Sequence, residues 1–215
     1  MIEAYWEIIV RDRNGKVISK HRQPCRSLLA NFLRILRGVL LAKGGFTGAA
    51  SGVKTTCSVK KYDGSEGTAW IEWYDTEELY AGGTPMGANA GDNDDSYGIM
   101  VGSGTKAVEI DDYNLESKIP HGTGSGQLDY DTHAITISEE AGQVKITITR
   151  PFKNNSGEPI TVSEVGLGVR SYWKGKNGIK NDIKFLIARD KLSTTHTVPD
   201  GGSLTVKITI TIPTG

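Results

Sequence analysis

Apolar and polar residues alternate with a period of two along several parts of the chain. The alternation is strictest over residues 204–212, where five apolar residues are separated by threonine or lysine. It also runs over residues 4–10, and the Asn14-Gly15 pair that follows is typical of a tight turn into a second strand over residues 16–22. Because alternation places apolar side chains on one face of a strand, these stretches predict half-buried strands and a hairpin over residues 4–22.

The stretch over residues 143–169 is the most regular part of the sequence. Its apolar positions Val144, Ile146, Ile148 and Phe152 alternate with polar residues. Residues 154–157, Asn-Asn-Ser-Gly, favour a chain reversal into a second strand over residues 160–169. Within that second strand the apolar positions change parity near residues 163–164. The pattern therefore predicts a hairpin with a β-bulge near residues 163–164.

One segment, over residues 28–43, has the apolar spacing of an amphipathic helix. Ser27 is placed to cap its N-terminus, and Gly44-Gly45 is placed to end it. The apolar stripe consists of Leu29, Phe32, Leu33, Leu36, Val39 and Leu40, and the polar side consists of Asn31, Arg34 and Arg37. We expect the stripe to pack across the sheet of the same subunit; the alternative is a contact with a neighbouring subunit.

The remaining segments add short strands separated by turns. Strands are predicted over residues 53–62, 68–74, 97–101, 127–138 and 183–188, loops over 81–96 and 171–182, and a turn or short helix over 111–119. Roughly nine or ten short antiparallel strands predict a mainly β protein, an antiparallel β-sandwich of jelly-roll type with one N-terminal amphipathic helix. We expect a single domain over residues 1–215, with a hairpin and helix (1–45), a variable insertion or arm (46–96) and a sandwich core (97–215).

The charge balance limits what the protein binds. The chain has 25 Lys and Arg residues and 25 Asp and Glu residues, so no field of one sign attracts it to nucleic acid or to an acidic membrane. The longest apolar stretch, residues 28–42, is too short for a membrane span and contains Arg34 and Arg37. The alternating N-terminal stretch is not the apolar run of a signal peptide. We expect a protein made without export that has no membrane span and no specific nucleic-acid ligand.

The sequence contains no spacing typical of a catalytic or transition-metal site. Its histidines are His21, His121, His133 and His196, far apart along the chain. Cys25 and Cys57 lack a CxxC spacing, and we expect two free thiols. Residues 122–126 lack the spacing of a nucleophile elbow, and residues 102–106 resemble a phosphate loop only in composition. We therefore expect a protein that is not an enzyme.

Residues 92–96 are the one dense cluster of hard oxygen ligands. Asp92, Asp94 and Asp95 are the candidate ligands of a Ca²⁺ ion. An EF-hand is excluded, because Tyr97 stands where that loop needs glycine and Ser103 where it needs glutamate. The alternative is a solvated acidic loop, and no cofactor other than Ca²⁺ is expected.

Aromatic residues gather at two places. Trp70, Trp73 and Tyr74 are spaced for a sugar-stacking platform, although such clusters more often belong to a core. Tyr172 and Trp173 precede several lysines, a combination found in proteins that bind single-stranded nucleic acid. Because the charge is balanced, we favour a surface loop or a subunit contact there.

Several strand and turn motifs carry a family resemblance. They are Val101-Gly102-Ser103-Gly104, Asp112-Tyr113-Asn114-Leu115 with Ile119, Gly126-Gln127-Leu128-Asp129-Tyr130, residues 152–157 and 160–167, Phe185-Leu186-Ile187-Ala188-Arg189-Asp190, and the strand after Pro199. In these motifs residues 98–212 resemble structural or unassigned proteins of tailed phages and related viruses. The SLLANFLRIL segment of the helix is also similar, whereas residues 53–95 fall outside the match. The resemblance implies a non-enzymatic virion component, such as a capsid, decoration or tail-associated protein.

The leading hypothesis is therefore a virion structural protein, made in the host cytoplasm, that assembles with copies of itself and with other virion proteins. The candidate contacts are Leu29, Phe32 and Leu36 on the helix and Tyr172 and Trp173 on the loop. The alternative is a glycan-binding module of a phage or cell-surface adhesion apparatus. A glycan hydrolase would need two carboxylates about 5 to 10 Å apart across one cleft, and no such pair stands out.

Overall fold

The computed structural model describes residues 3–41, 56–70, 86–140, 142–174 and 180–213. Within these ranges the chain forms one helix, α1 (Ala30–Leu41), and eleven strands. The strands are β1 (Glu3–Arg11), β2 (Val17–Pro24), β3 (Thr56–Lys60), β4 (Glu66–Trp70), β5 (Gly98–Gly102), β6 (Asp129–Tyr130), β7 (Ala134–Glu140), β8 (Gln143–Lys153), β9 (Ile160–Lys174), β10 (Lys180–Val198) and β11 (Ser203–Pro213). Each strand pair is antiparallel, so the predicted mainly β, antiparallel fold class is confirmed.

Two main sheets enclose the core. The large sheet has the order β2-β1-β11-β8-β6, with β7 also paired to β8, and the small sheet has the order β10-β9-β5. A separate hairpin pairs β3 with β4, as the turn between the two predicted strands requires. The buried cluster joins Trp6, Ile8, Val10, Phe152, Leu204, Val206 and Ile208 of the large sheet to Ile99, Val101, Val162, Val165, Ala188 and Val198 of the small one. The architecture is that of a sandwich.

The strands with the strictest alternation form as predicted. β1 makes the predicted hairpin with β2, and on its other side it pairs with β11. β11 therefore lies between β1 and β8, and its apolar residues Leu204, Val206 and Ile208 are buried. These central strands supply most of one wall of the core.

The hairpin predicted over residues 143–169 is wrong, because its two strands lie in different sheets. β8 pairs with β11, β6 and β7, whereas β9 pairs with β10 and β5. The buried side chain of Asn154 donates to the carbonyls of Glu158 at 2.8 Å and Val198 at 2.9 Å. The Gly157 N–H donates to the Asp200 carboxylate. These bonds attach the turn to the end of β10 and the residues after it, which directs the chain across the core.

The irregularity predicted near residues 163–164 is confirmed in position, but most of its extra residues belong to β10. Val162 pairs with His196, and Glu164 pairs with Lys191. Ser163 of β9 therefore faces the four residues 192–195 of β10. The parity change in the sequence corresponds to this break in the ladder.

The helix begins two residues later than predicted, and Ser27 is not its N-cap. Phe32 donates its N–H to the carbonyl of Leu29, and the helix begins at Ala30. The carbonyl of Ser27 instead accepts the N–H of Arg189 on β10. Ser27 is thus bonded to the edge of the small sheet and does not cap the helix.

The helix also presents a different face to the protein from the one its stripe predicts. Asn31, assigned to the polar side, is 2 % exposed. Its side chain accepts the N–H of Lys60 at 2.8 Å and donates to the carbonyls of Lys60 at 2.9 Å and Leu186 at 3.0 Å. Leu33 and Leu36 consequently point outward, at 57 % and 43 % exposure. The prediction that the helix packs on its own subunit is confirmed.

Two further boundaries differ from the prediction. The strand predicted over residues 127–138 is two strands, β6 and β7, separated by residues 131–133. The loop predicted over residues 171–182 is largely strand, since Tyr172 of β9 pairs with Asp182 of β10. The loop predicted over residues 81–96 is described from residue 86 and is irregular there, apart from a bridge between Gly87 and Arg170.

Candidate functional site

The apolar face of the large sheet is longer than the core beneath it. Directly opposed residues on neighbouring strands share a face, and Trp6, Ile208, Ile148 and Ile135 form one such row from β1 to β7. The first three are at most 8 % exposed, whereas Ile135 is 45 % exposed. This row marks the margin of the sandwich.

Beyond that row the same apolar face continues, and its residues are half-buried or exposed among the described part of the chain. The next row contains Ala4, Ile210, Ile146 and Ile137, followed by Ile212 and Val144. Ile137 is 68 % exposed and Ile212 is 39 % exposed. We call the set Ala4, Ile135, Ile137, Val144, Ile146, Ile210 and Ile212 the uncovered end of the large sheet. Contiguous apolar surface that is open to water commonly marks a contact with another molecule.

A buried arginine holds the loop that precedes β5. Arg150 of β8 is 0 % exposed, and the carbon of its guanidinium lies 4.7 Å from the centre of the Tyr130 ring. The guanidinium donates to five main-chain carbonyls, those of Gly91, Asp94, Tyr97, Ile99 and Asp131, at 2.7 to 3.3 Å. Residues 91–99, which include the end of the predicted arm, are therefore bound to the large sheet.

A buried histidine holds the same loop from the other side. His133 is 6 % exposed and accepts the N–H of Ile99 at its Nε2 atom, 2.7 Å away. Its Nδ1 atom lies 3.0 Å from the carbonyl oxygen of Ala90. Because a carbonyl only accepts, Nδ1 carries the proton and the ring is neutral. Burial, and then the charge of Arg150, lower the pKa of His133 to about 4.

This lowered pKa predicts a loss of stability in weak acid. The folded-state pKa of about 4 lies below the ordinary value of 6.5, so the unfolded chain binds the proton first. The contribution of His133 is complete above pH 6.5 and is lost as the pH falls toward 4. We expect the free energy of unfolding to fall by about 2 kcal/mol between pH 7 and pH 5 on account of this residue.

Urea unfolding at the two pH values measures this loss. The His133→Gln variant is the control, and its stability should change less over the same interval because the titrating ring is gone. An NMR titration midpoint of His133 at or above 6.5 would contradict the prediction.

The segment that resembles a phosphate loop in composition holds a carboxylate of the protein itself. Glu164 of β9 is 0 % exposed and accepts the N–H groups of Gly104 at 3.1 Å, Ser117 at 2.8 Å and Glu116 at 3.1 Å. Arg189 of β10 donates to the same carboxylate at 3.0 Å. A Cβ atom at Gly104 would lie 2.5 Å from Glu164 Oε1, so glycine is required there. This anion-binding loop is occupied internally and fixes residues 103–117 to the small sheet.

The three candidate Ca²⁺ ligands have separate hydrogen-bond partners. Asp92 accepts from the Asn93 side chain, Asp94 from the N–H and hydroxyl of Ser96, and Asp95 from the N–H of His121, with Lys118 Nζ 3.2 Å away. Among the described residues no group of three or more His, Cys, Asp or Glu side chains is arranged to hold a metal ion. The geometry thus supplies no ligand set for the Ca²⁺ hypothesis.

The predicted assembly contacts differ in their exposure. Leu29 is 1 % exposed and belongs to the core of its own subunit, so it is not available to a partner. Phe32 is half-buried, and Leu36 is 43 % exposed. Tyr172 is half-buried on β9 instead of lying in a loop, and Trp173 follows it on the strand with its side chain outside the described part of the chain.

The glycan-binding alternative stays a prediction. Trp73 and Tyr74, and the side chains of Trp70 and Trp173, lie outside the described residues. Trp6 is fully buried, and its indole N–H donates to the Asp190 carboxylate at 2.8 Å. This tryptophan serves the core and cannot stack on a sugar.

Two serine–histidine contacts join β2 to β10. Ser19 Oγ lies 3.0 Å from His196 Nδ1, and Ser193 Oγ lies 2.9 Å from His21 Nε2. The two rings have their centroids 5.6 Å apart. No described carboxylate orients either imidazole in the manner of a catalytic triad. Ser125 in the glycine-rich turn donates to the Glu158 carboxylate and not to a histidine.

No helix among the described residues has the length and apolarity needed to cross a membrane. Comparisons with protein-family models, curated proteins and solved structures found no match to this chain. The functional conclusion therefore depends on the geometry of the chain and on its sequence motifs.

Proposed function

We propose that this chain is a structural subunit of a virus particle, such as a capsid, decoration or tail-associated protein, and that it assembles with copies of itself. The observation that carries the proposal is the uncovered end of the large sheet. Seven apolar residues from β1, β7, β8 and β11 lie there side by side; three of them, Ile135, Ile137 and Ile212, are exposed and the other four are half-buried.

The energetics favour a covered state for this surface. Burying a fully exposed isoleucine side chain contributes about 1.5 to 3 kcal/mol, and a half-exposed one about half of that. Ile135, Ile137 and Ile212 are the most exposed members, at 45 %, 68 % and 39 %. Counted over two copies, their full burial would contribute about 5 to 9 kcal/mol, which lies within the range of about 4 to 15 kcal/mol for the entropy lost when two proteins associate.

The rest of the molecule suits a rigid building block. Arg150 and Glu164 bind the loops at residues 91–99 and 103–117 to the two sheets through buried hydrogen bonds. A subunit with fixed loops presents the same surface in every copy, which repeated contacts require. The resemblance of the sequence motifs to those of phage structural proteins favours the virion setting, and the balanced charge is tolerated in a dense assembly.

A single surface substitution tests the proposal. Ile137→Lys places a charge in the uncovered end at a position that is already 68 % exposed, so the fold should be retained. We expect the wild-type chain to be oligomeric by light scattering and the Ile137→Lys variant to be monomeric, because a buried lysine at the contact is strongly unfavourable. Val17→Lys is the matched control, since Val17 is 46 % exposed on β2 at the opposite side of the sheet.

The control variant should keep the oligomeric mass of the wild type. Equal masses for wild type and Ile137→Lys would remove the uncovered end from the contact. A monomeric wild-type protein at every concentration would overturn self-assembly altogether.

A further inference from the structure

β7 and β2 are the strands of the two main sheets to whose outer sides no described backbone group bonds. β7 pairs only with β8, and all seven of its residues, Ala134–Glu140, are exposed. Every second residue of an edge strand turns its N–H and C=O groups away from its neighbour. β7 therefore offers backbone donors and acceptors together with the two most exposed isoleucines of the uncovered end, Ile135 and Ile137.

The other edge strands are either bonded on their outer sides or carry residues that discourage pairing. β5 has its outer side occupied by Ile119, which donates to Val101, and by His133, which accepts from Ile99. β10 is bonded by Leu29, which donates to Ile187, while β6 accepts the N–H of Asn93 at Tyr130. β2 carries Lys20, Arg22 and a terminal Pro24, residues that discourage pairing at an edge.

β7 is self-complementary in an antiparallel pairing about a two-fold axis. Ile137 is the midpoint of the seven-residue strand, so a register centred on it pairs all seven residues of each copy. In that register Ile137 faces Ile137 of the other copy, Ile135 faces Glu139, and Ala134 faces Glu140. No carboxylate stands opposite a carboxylate, and like charges opposite one another are what destabilise such pairs.

The remaining charges are compatible with this pairing. The two Glu139 side chains would be four residues apart along the strands, about 14 Å at the rise of a strand, which exceeds the screening length at 0.1 M salt. Glu140 is already paired with Lys145 of its own subunit at 2.6 Å. A register centred on Glu139 would place the two carboxylates face to face, and is therefore disfavoured.

We propose that two copies of this chain associate by antiparallel pairing of their β7 strands, centred on Ile137, to form one continuous twelve-stranded sheet from two six-stranded sheets. The inference deepens the proposed function and rests on it, because it names the partner, a second copy, and the register of the pairing. The contact is made by the β7 edges, and it brings the uncovered ends of the two copies side by side in one sheet. The dimer is isologous, since the same strand is used by both protomers.

Disulfide trapping tests the register directly. Residues directly opposed across an antiparallel pair have Cα atoms about 4.5 to 5.5 Å apart, within the range that a disulfide bridges. We expect the Ile137→Cys variant to form a covalent dimer under mild oxidation. The Ile135→Cys variant is the matched control and should not, because its two cysteines would be about 14 Å apart.

The native cysteines do not obscure this result. Burial raises the pKa of Cys25 to about 12, and burial also raises the pKa of Cys57. Both thiols are therefore poorly reactive at neutral pH, and the oxidised wild-type chain provides the background.

The outcomes separate the pairing from assembly as such. Selective trapping of Ile137→Cys supports the β7 pairing. An oligomeric protein in which Ile137→Cys is trapped no faster than Ile135→Cys would overturn it while leaving self-assembly in place. A monomeric protein with no trapping would overturn both. Capture of an added extended peptide by β7, with the chain itself monomeric, would also overturn the pairing between copies.

Discussion

Replacing Arg150 by methionine is expected to lower the free energy of unfolding by about 3 to 5 kcal/mol. Methionine fills much of the volume, but the five carbonyls that the guanidinium binds lose their donor. Arg150 is 0 % exposed, so water cannot replace the lost hydrogen bonds without opening the core. Urea unfolding at neutral pH measures the loss.

Arg170→Met is the matched control for that measurement. Arg170 pairs with Asp182 at 2.8 Å, and its side chain is 31 % exposed, so the loss should stay below about 1 kcal/mol. If the two variants were equally destabilised, the loop at residues 91–99 would not depend on the buried guanidinium.

Replacing Glu164 by glutamine is the second substitution with a large expected effect, again about 3 to 5 kcal/mol. The buried carboxylate accepts hydrogen bonds from three N–H groups and from Arg189. The side-chain NH₂ group of glutamine would therefore face hydrogen-bond donors in place of one carboxylate oxygen. Arg189, 1 % exposed, would retain Asp112 at 2.6 Å as its only described carboxylate partner. Thermal and urea unfolding should both show the loss.

Glu116→Gln provides the comparison within the same loop. The Glu116 carboxylate also accepts two N–H groups, those of Thr105 and Lys106, but it is exposed. Its replacement should therefore cost much less than that of Glu164. Equal losses would indicate that the loop is not anchored through the buried carboxylate.

The predictable part of the fold is the part in which alternation alone determines burial. β1 and β11 lie side by side at the centre of the large sheet, where every second residue meets the core. The separation of β8 and β9 into different sheets could not be predicted in this way, because a turn sequence does not determine whether the chain returns in its own sheet or crosses to the other. The long-range hydrogen bond from the Asn154 side chain to the Val198 carbonyl directs the chain to the other sheet.

The face of the helix could not be predicted for a similar reason. A hydrophobic stripe indicates the buried side only when polar residues meet water. Asn31 is instead buried and fully hydrogen-bonded by Lys60 and Leu186, which are distant in sequence. Leu29, which was predicted to be an assembly contact, is buried in its own subunit, whereas Leu36 is exposed, as a contact requires.

The uncovered end also escapes a sequence-based search, because whether a strand position is covered depends on the length of the opposite sheet. The sequence does contain one indication of the uncovered end. The apolar alternation of β8 and β11 extends to strands of eleven residues each, longer than the five or six residues usual in a sandwich. Such strands extend past their core, and Ile146 and Ile212 lie in the part that extends.

Sedimentation equilibrium of the unaltered chain tests the central claim most directly, since it gives the mass without a substitution. The account predicts a species of at least twice 23.2 kDa at micromolar concentration, dissociating on dilution to the monomer. A single species of 23.2 kDa up to the highest soluble concentration would contradict it, because the uncovered end of the large sheet would then remain exposed without a second copy.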